Sequence, residues 1–452
     1  MNTPTTGGYS PCRLPSDVAS TLAARQCSSR PWKAATAWIA FLGPFFFLVY
    51  GFTNWFTAQR NDIPSFYFAW EQHLPFVPQL MLPYMSIDAF FAVSVFLCAT
   101  RLELDRHAWR IVAAILISAA GFLLFPLQFS FDRPPTDGFN GYLLNVLTGF
   151  DKPYNQAPSL HISLLMLLWV VYARYLAAPW RQLMHIWFTL IALSVVLVYQ
   201  HHFIDVITGF AVGLVCLYLL PDGELPFRVT ALTADPSRRK LGTRYALGAL
   251  AFTAAAFFWS GWAWLLLWPA AALAIVASAY LAYGTVVFQK QDGRQSLAAR
   301  WLLAPYRLSA WLSYRFHTRA RPAAVPVAAE VFIGRLPRRG EASHWPAIVD
   351  MTAEFSAPPH DGHYKNIPLL DLIVPDAPTL RAAATAIEHA RSAGPVLVHC
   401  ALGASRSATA VIAWMVKHGH AQDIEEAERK LSSQWRTVLS PAHRAALAEA
   451  LA

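Results

Sequence analysis

Eight apolar runs, each close to the length of a bilayer crossing, constrain this chain more than any other feature. They lie near residues 35–56, 77–99, 109–129, 160–178, 182–200, 203–220, 245–267 and 268–288. A helix needs about 20 predominantly apolar residues to cross the hydrocarbon layer, and in lipid it satisfies its backbone hydrogen bonds internally. The expected fold over this part is an all-α polytopic membrane bundle of about eight helices. Composition agrees. Of 452 residues, 56% are hydrophobic and 14% charged, against about 45–50% and about a quarter in soluble domains.

The net charge of +9 does not point to nucleic acid, because the basic residues sit in short clusters between the apolar runs. One set of connections carries Arg101, Arg106 and Arg110, then Arg174 and Arg181, then Arg238, Arg239, Lys240 and Arg244. The alternate connections hold few, among them Arg60, Arg133 and Lys152. The positive-inside rule then predicts cytoplasmic termini in a multi-pass protein of a bacterial inner membrane. The polar first 30 residues show no secretory signal peptide. Cys12, Cys27, Cys98, Cys216 and Cys400 form neither a disulfide framework nor a metal spacing, so no metal or cofactor is expected.

Near residue 290 the long apolar runs give way to charges, Pro, Gly and short apolar stretches. The predicted organisation is a cytoplasmic segment 1–34, a membrane domain 35–220, and a loop with two further membrane helices over 221–289. A basic amphipathic connector (290–325) then lies along the membrane surface, followed by a soluble domain over 326–452.

In that last domain, Val396-Leu-Val-His-Cys400-Ala-Leu-Gly-Ala-Ser-Arg406-Ser407 reads as a strand, a loop and the start of a helix. Such a loop gathers backbone N–H groups around one point at the positive end of a helix, where a phosphate fits. The same field favours a thiolate at Cys400, which needs no adjacent base to act as a nucleophile. Arg406 supplies a planar fork for phosphoryl oxygens. Gly403 permits the tight turn and, with Ser405, belongs to the phosphate-binding loop. Ser407 is placed to hydrogen-bond the thiolate.

This HCx5RS pattern resembles the signature of the protein tyrosine and dual-specificity phosphatase superfamily, and the likeness extends over about residues 326–452. It implies an α/β domain with a central sheet and a phosphocysteine intermediate. It also implies a general acid on an upstream loop. Tyr364-Lys-Asn-Ile-Pro-Leu-Leu-Asp371 resembles the family's strand and acid loop, making Asp371 the candidate and Asp376 its competitor. Ala377-Pro-Thr-Leu380 resembles lipid-directed members of the branch, whose substrates are phosphatidylglycerophosphate or phosphoinositides.

Two further motifs open membrane helices: Pro158-Ser-Leu-His161 and His201-His-Phe-Ile-Asp205. Ionisable residues at membrane depth mark functional sites by default. His201 and Asp205 stand one helical turn apart, so the carboxylate can orient the imidazole. In this reading His201 attacks phosphorus and His161 protonates the departing oxygen, while His202 is structural. The arrangement resembles the type 2 phosphatidic acid phosphatase superfamily over roughly 35–220, whose pattern is KxxxxxxRP, PSGH and SRxxxxxHxxxD. Arg133-Pro134 matches the end of the first element and makes Arg133 the best phosphate anchor, with Lys152 second. Leu160 replaces the family's Gly, and Val195 its Arg. These departures resemble the branch of inositol phosphorylceramide and sphingomyelin synthases, which transfer a phospho-head group.

The expectation is a bifunctional membrane phosphatase of phospholipid metabolism. A cytoplasmic cysteine site acts on a phosphorylated lipid, or on a phosphoprotein, and a histidine site works on the outer face. Hydrolysis, head-group transfer and an inactive lipid-binding anchor remain open for the membrane half.

Overall fold

The computed structural model describes residues 30–222 and 231–452; most of the segment predicted at 1–34 lies outside them. The chain forms two compact units, residues 1–224 and 225–452.

Among the described residues, seven α-helices build the first unit: α1 (Trp32–Thr57), α2 (Met81–Leu97), α3 (Arg101–Leu124), α4 (Gly138–Phe150), α5 (Leu160–Tyr175), α6 (Ala178–Leu197) and α7 (Phe203–Leu219). Two more apolar helices open the second, α8 (Pro236–Trp259) and α9 (Leu267–Ser278). Six segments of the described residues are long and apolar enough to cross a membrane, and the shorter apolar α5 and α7 bring the number to the expected eight. Their outward faces carry large apolar side chains, with Phe258 82% exposed, as lipid contact requires.

Helix α3 starts eight residues before its apolar run. Thr100 caps it by accepting from Glu103 N, and Arg101 pairs with Asp105 one turn on, so the charged stretch is its first polar turns. It stops just before Pro126, which cannot continue a helix. Helix α4 was not anticipated. Helices α5 and α7 cross in close contact because α7 presents glycine there: a Cβ on Gly209 would lie 2.4 Å from Ser159 O. Ser163 Oγ donates to Gly209 O at 3.0 Å, and Ser159 N donates to Asp205 O at 3.0 Å. The two histidine motifs are thereby joined.

In the second unit, α8 and α9 are followed by a hairpin, β1 (Lys290–Gln291) and β2 (Arg294–Gln295), and by α10 (Leu297–Leu302) and α11 (Ala304–His317). The remaining elements are β3 (Ala324–Ala328), β4 (Val331–Gly334), β5 (Ala347–Thr352), β6 (His363–Leu369), α12 (Ala377–Ala390), β7 (Val396–His399), α13 (Arg406–Lys417), α14 (Ile424–Ser432) and α15 (Pro441–Leu451). The sheet order is β3-β4-β7-β5-β6, with β3–β4 antiparallel and the other pairs parallel. All four residues of central strand β7 are buried, which explains its continuous apolar character. Val349, Val398, Ile387 and Trp414 belong to one core between the sheet and its helices.

Candidate active sites

Strand β7 delivers His399 to the carboxyl edge of the sheet, and the chain turns there into the loop 400–405 before α13 begins. Carboxyl edges of parallel strands are where open α/β sheets bind ligands. The loop's carbonyls are all engaged on its outside. Ala401 O accepts from Leu336 N (3.1 Å) and Ala404 O from Val438 N (2.7 Å). Leu402 O accepts from Arg321 Nη1 at 3.1 Å, and Gly403 O from Trp435 Nε1 at 2.8 Å. Among the described residues, no N–H from Ala401 to Ser405 donates to another protein group. These donors are left for an anion. Gly403 has φ +75, and a Cβ there would meet Gly334 O at 2.6 Å and the Trp435 ring at 2.8 Å. Only glycine fits that turn.

Cys400 is buried, and Ser407 Oγ donates to its Sγ at 3.4 Å. Arg406 is held by a residue that sequence reasoning missed. Its Nη1 and Nη2 donate to the two carboxylate oxygens of buried Glu354, at 3.0 and 2.7 Å. Nη1 also donates to Leu369 O at 3.0 Å, and Nη2 lies 2.9 Å from Asp371 Oδ1. Burial alone would lower the guanidinium's pKa, but Glu354, Asp371 and Cys400 hold it well above its ordinary value. Asp371 thus stands beside the Arg406 fork. Asp376 instead caps α12, its Oδ1 accepting from Thr379 N at 3.0 Å. Ser405 does not aim into the loop. Its Oγ meets His443 Nε2 at 2.8 Å, and His443 Nδ1 accepts from Ser440 N at 3.1 Å.

Behind the loop lies a buried polar network. Lys290 Nζ, from the hairpin, donates to Asp350 Oδ2 at 2.6 Å and to Thr352 O at 2.9 Å. Tyr364 OH donates to the same carboxylate oxygen at 2.6 Å. Burial pushes the Asp350 pKa up, but His399, Lys290 and Tyr364 together bring it down to about 2. Buried Gln295 donates through Nε2 to Ala353 O and Glu354 O, both at 3.4 Å. The stretch predicted to be a surface connector therefore begins with a folded clip on the strand that leads to Glu354. Tyr280 OH, from the last apolar span, donates to Asp371 O at 2.9 Å.

In the first unit, His161 and His201 line one cavity of about 350 Å³. Its walls are otherwise mostly apolar, among them Ile39, Phe46, Phe91, Leu147 and Phe150, with Tyr84, Asp88, Asp151 and Asn155 as polar members. His161 stacks on Tyr84 with ring centroids 4.3 Å apart. His201 Nδ1 lies 3.5 Å from Asp205 Oδ2 but makes no aligned hydrogen bond, and His161 Nε2 is likewise buried without a protein partner. Asp205 Oδ2 also accepts from His202 N at 2.8 Å. His202 is a core residue, bonded to Glu71 and Ser130 and stacked on Phe129. Arg133 does not line the cavity. Its Nε and Nη2 donate to Tyr199 O at 3.0 and 2.7 Å. Lys152 is exposed.

Residues 107–223 match the family model of the PAP2 superfamily, and residues 344–450 match that of the dual specificity phosphatase catalytic domain. Among solved structures, the chain is similar to PTPMT1 in complex with PI(5)P, at 17% identity and a TM-score of 0.27, covering 29% of this chain and 95% of that one. Human DUSP28 is similar at 23% identity and a TM-score of 0.27, over 29% of this chain and 94% of that one. A mouse putative dual specificity phosphatase complexed with zinc tungstate is similar at 24% identity and a TM-score of 0.27, over 29% and 87%. No curated protein matches the chain. The chain is a membrane protein that joins a PAP2 domain to a phosphoric monoester hydrolase domain of the dual-specificity type.

Proposed function

We propose that this protein is a bifunctional phosphatase of phospholipid metabolism. Its cysteine site hydrolyses a lipid phosphomonoester at the cytoplasmic face, and its histidine site performs phosphoryl chemistry on the outer face. The observation that carries the first activity is the loop around Cys400, whose carbonyls are all tied outward and whose N–H groups remain free. Cys400 Sγ attacks phosphorus, a P–S bond forms and the P–O bond to the alcohol breaks, with Asp371 giving its proton to the leaving oxygen. Water then attacks phosphorus and gives a proton back to the Asp371 carboxylate, the P–S bond breaks, and Ser407 stabilises the departing thiolate. Arg406 follows the charge of the transferring group. An arriving phosphoryl oxygen competes with Asp371 for Arg406 Nη2, which releases the acid to the leaving group.

Two features support a lipid target. Spans α8 and α9 fold in one compact unit with the phosphatase sheet, and Tyr280 at the end of that span holds the acid loop by Asp371 O. Confinement near a bilayer raises the effective concentration of a membrane-borne substrate. In the other half, His201 attacks through Nε2, Asp205 stands 3.5 Å from its Nδ1, and His161 protonates the leaving oxygen. The long apolar wall of the cavity suits an acyl chain.

The test uses the purified full chain with vesicles carrying phosphatidylglycerophosphate or a phosphoinositide, beside a phosphotyrosine peptide. Faster Cys400-dependent release from the lipids is expected. Preference for the peptide overturns the lipid assignment.

A further inference from the structure

Asp371 is held by two groups that come from far away in the chain. Its Oδ1 lies 2.9 Å from Arg406 Nη2, and its backbone O accepts from Tyr280 OH at 2.9 Å. The turn around it does little to keep its own shape. Leu372 has φ +60, a left-handed conformation that is costly for a residue with a β-carbon. Its side chain is 73% exposed, so packing does not offset that cost. Such a backbone persists only where its surroundings over-determine it.

Tyr280 is a rigid partner. It is 1% exposed, and its ring lies against Tyr245 with centroids 5.3 Å apart, while Tyr306 closes on Tyr245 at 5.9 Å. It belongs to a π-helical turn, Ala279–Tyr283, that continues α9. The carbonyls of Ala279 and Tyr280 accept from Arg238 Nη2 and Nε at 3.1 and 3.2 Å, so the groups that this turn would leave unpaired are satisfied. Turns of this kind within helices recur at functional sites.

During the reaction the two holds on Asp371 separate. The carboxyl leaves Arg406 for the departing oxygen, and the hydrogen bond from Tyr280 to the backbone remains. We propose that Tyr280 is a positioning residue for the acid step. It pins the backbone of Asp371 while the carboxyl swings, so that general-acid catalysis at the cysteine site depends on a residue of the last apolar span. This rests on the cysteine chemistry and the role of Asp371 proposed above. The proton given to the leaving oxygen comes from Asp371 as the P–O bond breaks; Tyr280, its hydroxyl spent on a carbonyl, neither gives nor takes one.

The test compares two soluble esters on the full chain. Dinitrophenyl phosphate releases a stable anion and needs no acid, whereas phenyl phosphate needs one. In each case kcat/KM reports the steps up to the phosphocysteine. Asp371→Asn should lower kcat/KM on phenyl phosphate about 100-fold or more and on dinitrophenyl phosphate no more than about threefold. Tyr280→Phe, which removes one hydroxyl, should show the same selectivity, with about a tenfold loss on phenyl phosphate. Turnover of the dinitrophenyl ester serves as the control for folding. An equal loss on both esters in Tyr280→Phe, or no loss on either, overturns the positioning role while the selective loss in Asp371→Asn leaves the acid assignment standing. Absence of selectivity in Asp371→Asn sinks the acid assignment and this inference with it. Turnover that persists in Cys400→Ser sinks the cysteine reading itself, and the inference with it.

Discussion

Arg406 already spends four contacts within the protein: two to Glu354, one to Leu369 O and one to Asp371. Its fork is thus aimed before any phosphate arrives, and the aim depends on the buried carboxylate. Glu354→Gln keeps the shape and removes the charge, so kcat/KM on a soluble aryl phosphate should fall about 10–100-fold, from misplacement of the clamp. Steady-state kinetics within twofold of wild type would count against this role. Cys400, Arg406 and Ser407 were legible in the sequence because the chemistry fixes their spacing within one loop. Glu354 was not, since nothing in Thr352-Ala-Glu354-Phe says that a fork from α13 will reach it. Ser405 shows the converse. It sits inside the motif, yet its hydroxyl belongs to His443.

At the level of elements, the β1–β2 hairpin and the α5–α7 crossing matter most. Asp350 has its pKa held down to about 2 against an ordinary 3.8, so the stability it contributes is present above pH about 4. It is lost as pH falls through about 2, an effect of about 2 kcal/mol for a shift of this size. Acid unfolding of the phosphatase unit, followed by tryptophan fluorescence, should therefore steepen between pH about 4 and about 2. Lys290→Met, which strands the buried carboxylate, should raise that midpoint; an unchanged midpoint refutes the pairing. In the other unit, a Cβ on Gly209 would lie 2.4 Å from the Ser159 carbonyl. Gly209→Val should wedge α5 from α7, separate His161 from His201 and lower histidine-dependent turnover at least tenfold, while the cysteine activity stays within twofold. The eight apolar segments were readable because membrane helices must be continuously apolar. Helix α4 was not, because Gly and Asn interrupt its short apolar stretch GFNGYLLNVLTGF. Lys290 falls in the stretch expected to be a basic surface connector, and only its tertiary pairing with Asp350 turns it inward.

For the whole molecule, the proposed function puts two phosphoryl sites of unrelated chemistry in one chain. Their inactivation should be separable: cells carrying Cys400→Ser and cells carrying His201→Ala should accumulate different lipids. A single common lipid profile would instead make the two sites serve one reaction. The clip formed by Lys290 and Gln295 bears on how this protein breaks. Arg319 and Ala320 form an exposed turn between the apolar spans and the phosphatase sheet, an inviting place for trypsin. A cut there severs the backbone, but the upstream fragment keeps its lysine inside the downstream one. The nicked protein should behave as a split enzyme, active while its two pieces stay together and inactive once urea has parted them. Damage at that turn would wound the chain without setting its phosphatase loose from the membrane.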